Sequence, residues 1–156
     1  MDIAARDCMS TDLVTLLPTD DVLDAVQLLL RHRVSGAPVV DAHGRYLGIF
    51  TEKCSMHVLL DAAYEQLPVC DVRSFMDAEA QTIGPDTQLL SIAQVFLLTP
   101  YRRLPVLEEG KLIGMVTRRD VMKCWMKLVE SVSSDSREMT LLYFSALFAR
   151  EEAPLA

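Results

Sequence analysis

The chain has 156 residues, the size of one ordinary domain or two very small ones. Its 51% hydrophobic and 24% charged residues exclude a mostly disordered chain, and no apolar run reaches the ~18 residues of a membrane span. The net charge of −7 disfavours general binding to nucleic acid, because an acidic surface repels the phosphate backbone. The acidic N-terminus is unlike a signal peptide, so we expect a cytoplasmic protein.

Two segments of the chain, residues 9–56 and 76–122, are similar to each other. They align at an offset of 67 residues, which falls to 66 after a one-residue deletion in a turn. Identical pairs include Met9 and Met76, Thr15 and Thr82, Pro18 and Pro85, Pro38 and Pro105, Gly48 and Gly114, and Thr51 and Thr117. Because the matches fall at turns, prolines and the apolar frame, they indicate a tandem repeat of one fold.

The first repeat begins with an extended segment at 13–16, and Thr19 is placed to cap the helix that follows it. Apolar residues at three-to-four spacing predict that helix: Val22, Ala25, Val26, Leu29 and Leu30. A β-hairpin is then predicted from strands at 37–41 and 45–51, with Gly44 in the turn. Thr51 is expected to open a second helix.

The second repeat has the same order of elements. An extended segment at 80–83 and a cap at Asp86 precede a helix with Leu89, Ile92, Ala93, Phe96 and Leu97 on its apolar face. A hairpin of strands 103–107 and 111–117 follows, and Thr117 is expected to open the next helix. The order of strand, helix, strand, strand and helix predicts an α+β fold.

A final helix is predicted at 137–150, after a polar break at 131–136. Its apolar residues are Met139, Leu141, Leu142, Phe144, Leu147 and Phe148. We expect this face to pack on the core or on a dimer mate. The alternative is a helix that docks on a different protein.

The four cysteines, Cys8, Cys54, Cys70 and Cys124, form no C-x-x-C pair, and the three histidines complete no zinc-site spacing. We therefore expect reduced thiols and no metal site. The sequence also contains no recognisable nucleophile and base pair, phosphate-binding P-loop or dinucleotide fingerprint. An enzyme is not predicted.

The doubled pattern resembles tandem cystathionine-β-synthase (CBS) domains, together called a Bateman module. The residues that carry the resemblance are RVSGAPVVD-AHG-RYLGIFT in the first repeat and YRRLPVLEEG-KLIGMVTRRD in the second. It covers about residues 5–127, and we assign CBS repeats to 5–65 and 70–130, ahead of the C-terminal helix at 137–150. The resemblance implies two βαββα units packed about a pseudo-twofold axis, and a disc-shaped homodimer. It also implies clefts between the repeats that often hold adenine nucleotides or adenosyl ligands.

The resemblance assigns a ribose-binding acid to the run from Gly114 to Asp120. Asp120 would accept the ribose hydroxyls beside Thr117 and Met115, since a carboxylate can accept both hydroxyls of a cis-diol. The residues implied at the phosphates are Arg103, Arg102 and Arg119, in a stretch (100–127) that holds seven basic and three acidic residues. The alternatives are an ordinary acid in the first turn of a helix and a solvated cationic surface.

The other wall of this cleft is implied to come from the first repeat. The residues expected against the base are Leu13, Val14 and Thr15 on one side and Val34, Ser35, Ala37 and Pro38 on the other. The alternative is that these are strand ends packing on each other.

The first repeat departs from the pattern, because Cys54 occupies the position that matches Asp120. A neutral thiol is a poor acceptor for a diol, so binding should be roughly tenfold to a thousandfold weaker. The residues of this degenerate second cleft are Cys54 and Thr51, with Gln81, Thr82 and Tyr101 opposite. We expect it to be empty or to bind something else.

Three functions remain open on the sequence. The first is a regulatory module that binds AMP, ADP, ATP or S-adenosylmethionine and transmits that state to an unidentified partner protein. The second is a structural or dimerising module whose clefts bind no ligand. The third is a redox sensor centred on Cys54, which requires that thiol to be exposed.

Overall fold

The computed structural model describes residues 3–65, 70–131, 141–142 and 145–146. The fold is α+β, as predicted. The elements of the first repeat are α1 (Ala5–Cys8), α2 (Val22–His32), β1 (Gly36–Val40), β2 (Tyr46–Thr51) and α3 (Glu52–Glu65). A short 3-10 helix, Val72–Ser74, follows, and then come α4 (Leu89–Leu98), β3 (Arg103–Glu108), β4 (Lys111–Thr117) and α5 (Arg118–Ser131).

The two predicted hairpins are present as two-stranded sheets, β1–β2 and β3–β4. In the first, Gly36 lies opposite Thr51, and the antiparallel register is interrupted once, after Val39. In the second, the turn residues Glu109 and Gly110 have φ angles of 51° and 78°. Two successive positive φ values match the right-handed twist of the flanking strands, which is why this turn needs only two residues.

The extended segments predicted ahead of the first helix of each repeat are shorter than expected. Each makes a single parallel bridge: Leu16 N donates to Pro38 O, and Ile83 N donates to Pro105 O, both at 2.9 Å. A proline two residues later in each segment ends the pairing, because it has no N–H to donate. The prediction of a strand was correct in position and wrong in length.

The helix cap predicted at Thr19 is wrong. A turn at 17–20 comes first, closed by the Asp20 N–H on the carbonyl of Leu17, and α2 starts only after it. The N-cap is Asp21, whose Oδ1 accepts hydrogen bonds from the N–H of Leu23 (2.8 Å) and of Asp24 (3.4 Å).

The cap predicted at Asp86 is also wrong. The N-cap of α4 is Gln88, which makes no side-chain capping bond. Asp86 is instead exposed and forms an ion pair with Arg6 at 2.8 Å. The first N–H of α4, that of Leu89, donates to the backbone carbonyl of Ile3 at 2.9 Å.

The chain folds as two compact units, and neither is a single sequence repeat. The α4–α5 unit comprises residues 1–10, 83–106 and 114–156. The α2–α3 unit comprises residues 11–82 and 107–113. The first residues of each repeat therefore belong to the unit that holds most of the other repeat.

Matching backbone bridges hold these two leading segments. In the α4–α5 unit, Ser10 and Met115 exchange two N–H···O bonds of 2.9 and 3.0 Å. In the α2–α3 unit, Asp77 and Ile49 exchange two of 2.8 and 3.0 Å. Ser10 and Asp77 are matching positions of the two repeats, and so are Met115 and Ile49. The second strand of each hairpin, β4 or β2, is therefore paired with the first residues of a repeat in the same way.

Each unit has its own apolar core. In the α2–α3 unit the fully buried side chains include Val39, Phe50 and Val72, and in the α4–α5 unit they include Ile92 and Leu104. The predicted apolar faces are buried at Val22, Ala25, Leu29, Leu89, Ile92 and Phe96. The prediction of a buried face is wrong at Ala93, which is exposed, and at Leu30 and Leu97, which match in the two repeats and are 73% and 86% exposed.

Only part of the predicted C-terminal helix can be described. Leu141, Leu142, Ser145 and Ala146 are helical, and both leucines are exposed. The other residues of 137–150 lie outside the described residues, so the packing of this face stays a prediction. Among the helices of the described ranges, none combines the length and apolar character needed to cross a lipid bilayer.

Candidate functional site

Asp120 and Thr117 form a tight pair at the junction of β4 and α5. Thr117 ends the strand and occupies the N-cap position, and Asp120 is the third residue of the helix. Asp120 Oδ2 accepts from the backbone N–H and the hydroxyl of Thr117, both at 2.9 Å, and Thr117 Oγ1 accepts the Asp120 N–H at 3.2 Å. This reciprocal capping box satisfies N–H groups that the first helical turn leaves without a partner.

The capping box also fixes the direction of the carboxylate. Within the part of the chain that the structure describes, the bonds that Asp120 accepts all go to Oδ2. Oδ1 is therefore left to accept from a ligand. Asp120 is half-buried, so part of the water that would compete for its carboxylate is excluded.

The same junction in the first repeat ends differently. Thr51 Oγ1 accepts the Cys54 N–H at 3.2 Å, as Thr117 does for Asp120. The Cys54 thiol, however, lies 3.3 Å from Thr51 Oγ1 and 3.8 Å from the carbonyl of Ile49, and the residue is only 6% exposed. The side chain is packed in the core of the α2–α3 unit, where no ligand hydroxyl can reach it. The redox sensor centred on an exposed Cys54 is therefore wrong.

The other predicted residues of the α4–α5 unit vary in exposure. Arg102 and Arg119 are exposed and Arg103, the first residue of β3, is half-buried. Met115 is buried, and its backbone is bonded to Ser10. Tyr101, predicted for the degenerate cleft, is half-buried in this unit.

Two predicted residues of the α2–α3 unit, Val34 and Ser35, directly follow the C-terminus of α2. Val34 N donates to Leu29 O at 3.1 Å and closes the C-terminus of α2, while Ser35 O accepts the Glu52 N–H that starts α3. The remaining predicted residues fall into three exposure classes: Ala37 and Pro38 are buried in β1, Leu13, Val14 and Thr82 are half-buried, and Thr15 and Gln81 are exposed.

A cavity of about 480 Å³ lies within the α2–α3 unit, between α2 and α3. Val34 and Ser35 line it, and so do Arg33, Glu52 and Ser55, which were not among the residues predicted to contact a ligand. Arg33 has a left-handed φ of 52° at the end of α2, which turns the chain into the cavity wall. The sequence signal for this turn was weak, because the left-handed position holds arginine in place of the usual glycine.

In the described ranges, no group of three or more His, Cys, Asp or Glu side chains could hold a metal ion.

The family model of the CBS domain matches two segments of the chain, residues 5–53 and 72–127. The chain belongs to the CBS domain family. The two matches correspond to the two sequence repeats, so this protein carries a tandem CBS pair.

Curated CBS relatives differ widely in length. A CBS domain-containing protein of Dictyostelium discoideum is 31% identical over 147 residues, which span 87% of this chain and all of the relative. An uncharacterized protein of Methanocaldococcus jannaschii is 29% identical over 76% of this chain, yet only 41% of that protein is covered. An A-adding tRNA nucleotidyltransferase of Aquifex aeolicus is covered over 14% of its length. The chain thus spans only a part of the length of several curated relatives that it matches.

Solved CBS structures have the same fold. CBSX2 of Arabidopsis thaliana, crystallised in complex with AMP, is 27% identical with a TM-score of 0.71, and the match covers 80% of this chain and 97% of CBSX2. A putative acetoin utilization protein of Vibrio cholerae has a TM-score of 0.74 at 24% identity, covering 86% of this chain and all of that one.

Proposed function

We propose that this CBS pair is a regulatory module, not an enzyme, and that it binds one adenosine-containing ligand per chain, such as AMP, ADP, ATP or S-adenosylmethionine. The observation that carries the proposal is the Asp120 carboxylate, held by Thr117 with Oδ1 left to accept. The AMP complex of CBSX2, which is 27% identical, supports an adenine nucleotide as the ligand.

The geometry of Asp120 suits a ribose. The capping box restrains the side chain before a ligand arrives, so less conformational entropy is lost on binding. Hydrogen bonds from hydroxyls to a charged acceptor contribute about 1.5–3 kcal/mol each. A ribose that places its 2′- and 3′-hydroxyls on Asp120 would gain much of its affinity from this one side chain.

The basic side chains of the same unit suit the phosphates. Arg102 and Arg119 are exposed, so their side chains can be approached from solvent, and Arg103 is half-buried. A guanidinium can form two parallel bonds to phosphate oxygens. We therefore assign Arg103, with Arg102 and Arg119, to the phosphate end of the ligand.

The buried thiol of Cys54 supports a single site per chain. Thr51 is present at the position of Thr117, but the acceptor that would hold a ribose is missing, and the thiol faces the core. In this proposal, the residues around Cys54 and Thr51 hold no adenosine ligand.

We further propose that the protein is a homodimer, and that the ligand acts by favouring one arrangement of the pair or dimer that a partner protein recognises. Exposed apolar side chains occur at matching positions of the two repeats: Leu30 and Leu97, Met56 and Met122, Leu59 and Trp125, and Leu60 and Met126. Apolar surface repeated in this way fits a symmetric contact with a second copy, in which the same residues face each other. A purely dimerising module without ligand would share this feature.

A ligand screen separates the sensing module from the ligand-free module. Thermal unfolding of the full chain is measured with adenosine, AMP, ADP, ATP and S-adenosylmethionine, and with GMP as a control. A ligand at about 100 times its Kd adds about 2.7 kcal/mol of stability, which is on the order of 5–10 °C for a chain of this size. If no adenosine compound at millimolar concentration raises the unfolding temperature above the GMP value, the ligand-free module is correct.

A further inference from the structure

Two cysteines far apart in the sequence lie side by side in the α4–α5 unit. Cys8 is the last residue of α1 and Cys124 lies in the second turn of α5. Their Sγ atoms are 2.7 Å apart, although the two residues are 116 positions apart in the sequence. A disulfide bond is about 2.05 Å long, so little movement separates the two thiols from bonding distance.

The backbone around Cys8 is anchored on both sides. Before it, the Ala5 N–H donates to Thr87 O at 2.8 Å, and Arg6 pairs with Asp86. After it, Ser10 is bonded twice to Met115 in β4, the strand that leads into α5. These contacts hold Cys8 against α5, so the closeness of the thiols follows from the packing of the whole segment.

Both thiols are half-buried, in contrast to the Cys54 thiol in the core. A small reagent can therefore reach the pair. Burial raises the pKa of the Cys8 thiol, and the Cys124 thiol and the carboxylates of Asp7 and Asp120 raise it further. Cys8 is therefore a poor nucleophile as long as Cys124 is a free thiol.

We propose that Cys8 and Cys124 are a reversible thiol–disulfide site that ties the N-terminal segment to α5, and that the oxidant is a low-molecular-weight disulfide, RSSR. The Cys124 thiol loses its proton to solvent and attacks one sulfur of RSSR. A Cys124–S–S–R bond forms, the S–S bond of RSSR breaks, and RS⁻ leaves and takes up a proton.

The second exchange closes the protein disulfide. With Cys124 bound in the mixed disulfide, its thiol hydrogen bond and its negative charge no longer oppose ionisation of Cys8. Cys8 loses its proton and attacks Cys124 Sγ, and the second RS⁻ leaves and is protonated. The protein has lost two electrons and two protons, and RSSR has been reduced to two RSH. An excess of dithiol reverses both steps.

The test treats the folded full chain with oxidised glutathione, then blocks free thiols and maps peptides by mass spectrometry. The expected product is a peptide pair joined through Cys8 and Cys124. It should form roughly tenfold or more faster than in the same chain unfolded in urea, because folding holds the thiols together. Cys70→Ser should give the same product, whereas Cys8→Ser and Cys124→Ser should stop at a glutathione adduct.

A second measurement needs no variant. The oxidised chain should unfold about 5–10 °C higher than the reduced chain, since the bond closes a loop of more than 100 residues, and dithiothreitol should remove the difference. The proposal is overturned if glutathione adducts accumulate on the wild-type chain without the Cys8–Cys124 peptide. It is equally overturned if that peptide forms as fast in urea. Neither result depends on whether a nucleotide binds.

Discussion

Asp120 has two roles at the residue scale, one in the helix cap and one proposed for the ribose. Asp120→Ala should weaken the binding of an adenosine nucleotide by roughly tenfold to a hundredfold, because hydroxyl bonds to a charged acceptor are lost. It should also cost about 1 kcal/mol of stability, because the capping box is broken. Isothermal calorimetry and denaturant unfolding measure the two effects separately.

Two variants serve as controls for Asp120. Asp120→Asn can still accept the Thr117 bonds through its amide oxygen, so it should keep most of the stability and still bind nucleotide more weakly. Cys54→Ala, at the matching position, should leave binding within a factor of about three. If Cys54→Ala abolishes binding while Asp120→Ala binds normally, the ligand belongs to the other cleft.

Arg103 tests the phosphate end of the same site. Arg103→Ala should weaken the binding of AMP, ADP or ATP and leave the binding of adenosine nearly unchanged, because only the phosphorylated ligands need a cationic partner. The phosphate contribution should decrease as salt is added, since ions screen the attraction. Equal losses for adenosine and AMP in a calorimetric titration would contradict this assignment.

At the scale of single elements, the N-terminal cap of α2 can be tested by mutation. Asp21 accepts two N–H groups of the first helical turn, whereas Thr19 is exposed within the preceding turn. Asp21→Ala should therefore lower the free energy of unfolding by about 1 kcal/mol, and Thr19→Ala should change it by much less. Equal losses in urea unfolding would mean that the side chain of Asp21 does not act as the cap.

The matching glycines of the two hairpins face different neighbours. A Cβ on Gly48 would lie 2.8 Å from the backbone oxygen of Asp77, but a Cβ on Gly114 would meet the flexible side chain of Met9. Gly48→Ala should destabilise the protein by about 1–3 kcal/mol, because a bonded backbone has to move. Gly114→Ala should lower the stability by less, since Met9 can change rotamer. The prediction is contradicted if the Gly114→Ala protein unfolds at a lower denaturant concentration than the Gly48→Ala protein.

At the scale of the whole molecule, the repeated exposed apolar residues lead to a prediction about assembly. The wild-type chain should sediment at micromolar concentration as a species of twice 17.4 kDa. Leu59→Glu should shift it toward the monomer, because a charge would be buried without a partner in the dimer. Ala42→Glu in the exposed β1–β2 turn adds the same charge and should leave the dimer intact. A monomeric wild-type chain would remove the homodimer from the proposal.

Local patterns in the sequence determined much of this protein. The doubled motif, the helices and hairpins, the positive-φ turns and the Thr117–Asp120 pair all follow from interactions within a few residues along the chain. The same local rules explain the errors. Thr19 is a residue type that often caps helices, but the turn at 17–20 places the start of α2 after it. Leu30 and Leu97 fit the spacing of an apolar helical face, although both are exposed.

Only the tertiary structure decided which distant segments meet. The first residues of each repeat pair with a distant strand, as the Ser10–Met115 and Asp77–Ile49 bridges show. No sequence pattern of the paired segments predicts that they pair with each other. The burial of Cys54 and the contact of Cys8 with Cys124 depend on the same packing. The physical reason is that the burial of a residue and its distance from another residue depend on how the whole core packs. The type and spacing of nearby residues do not determine which residue 116 positions away will lie in contact.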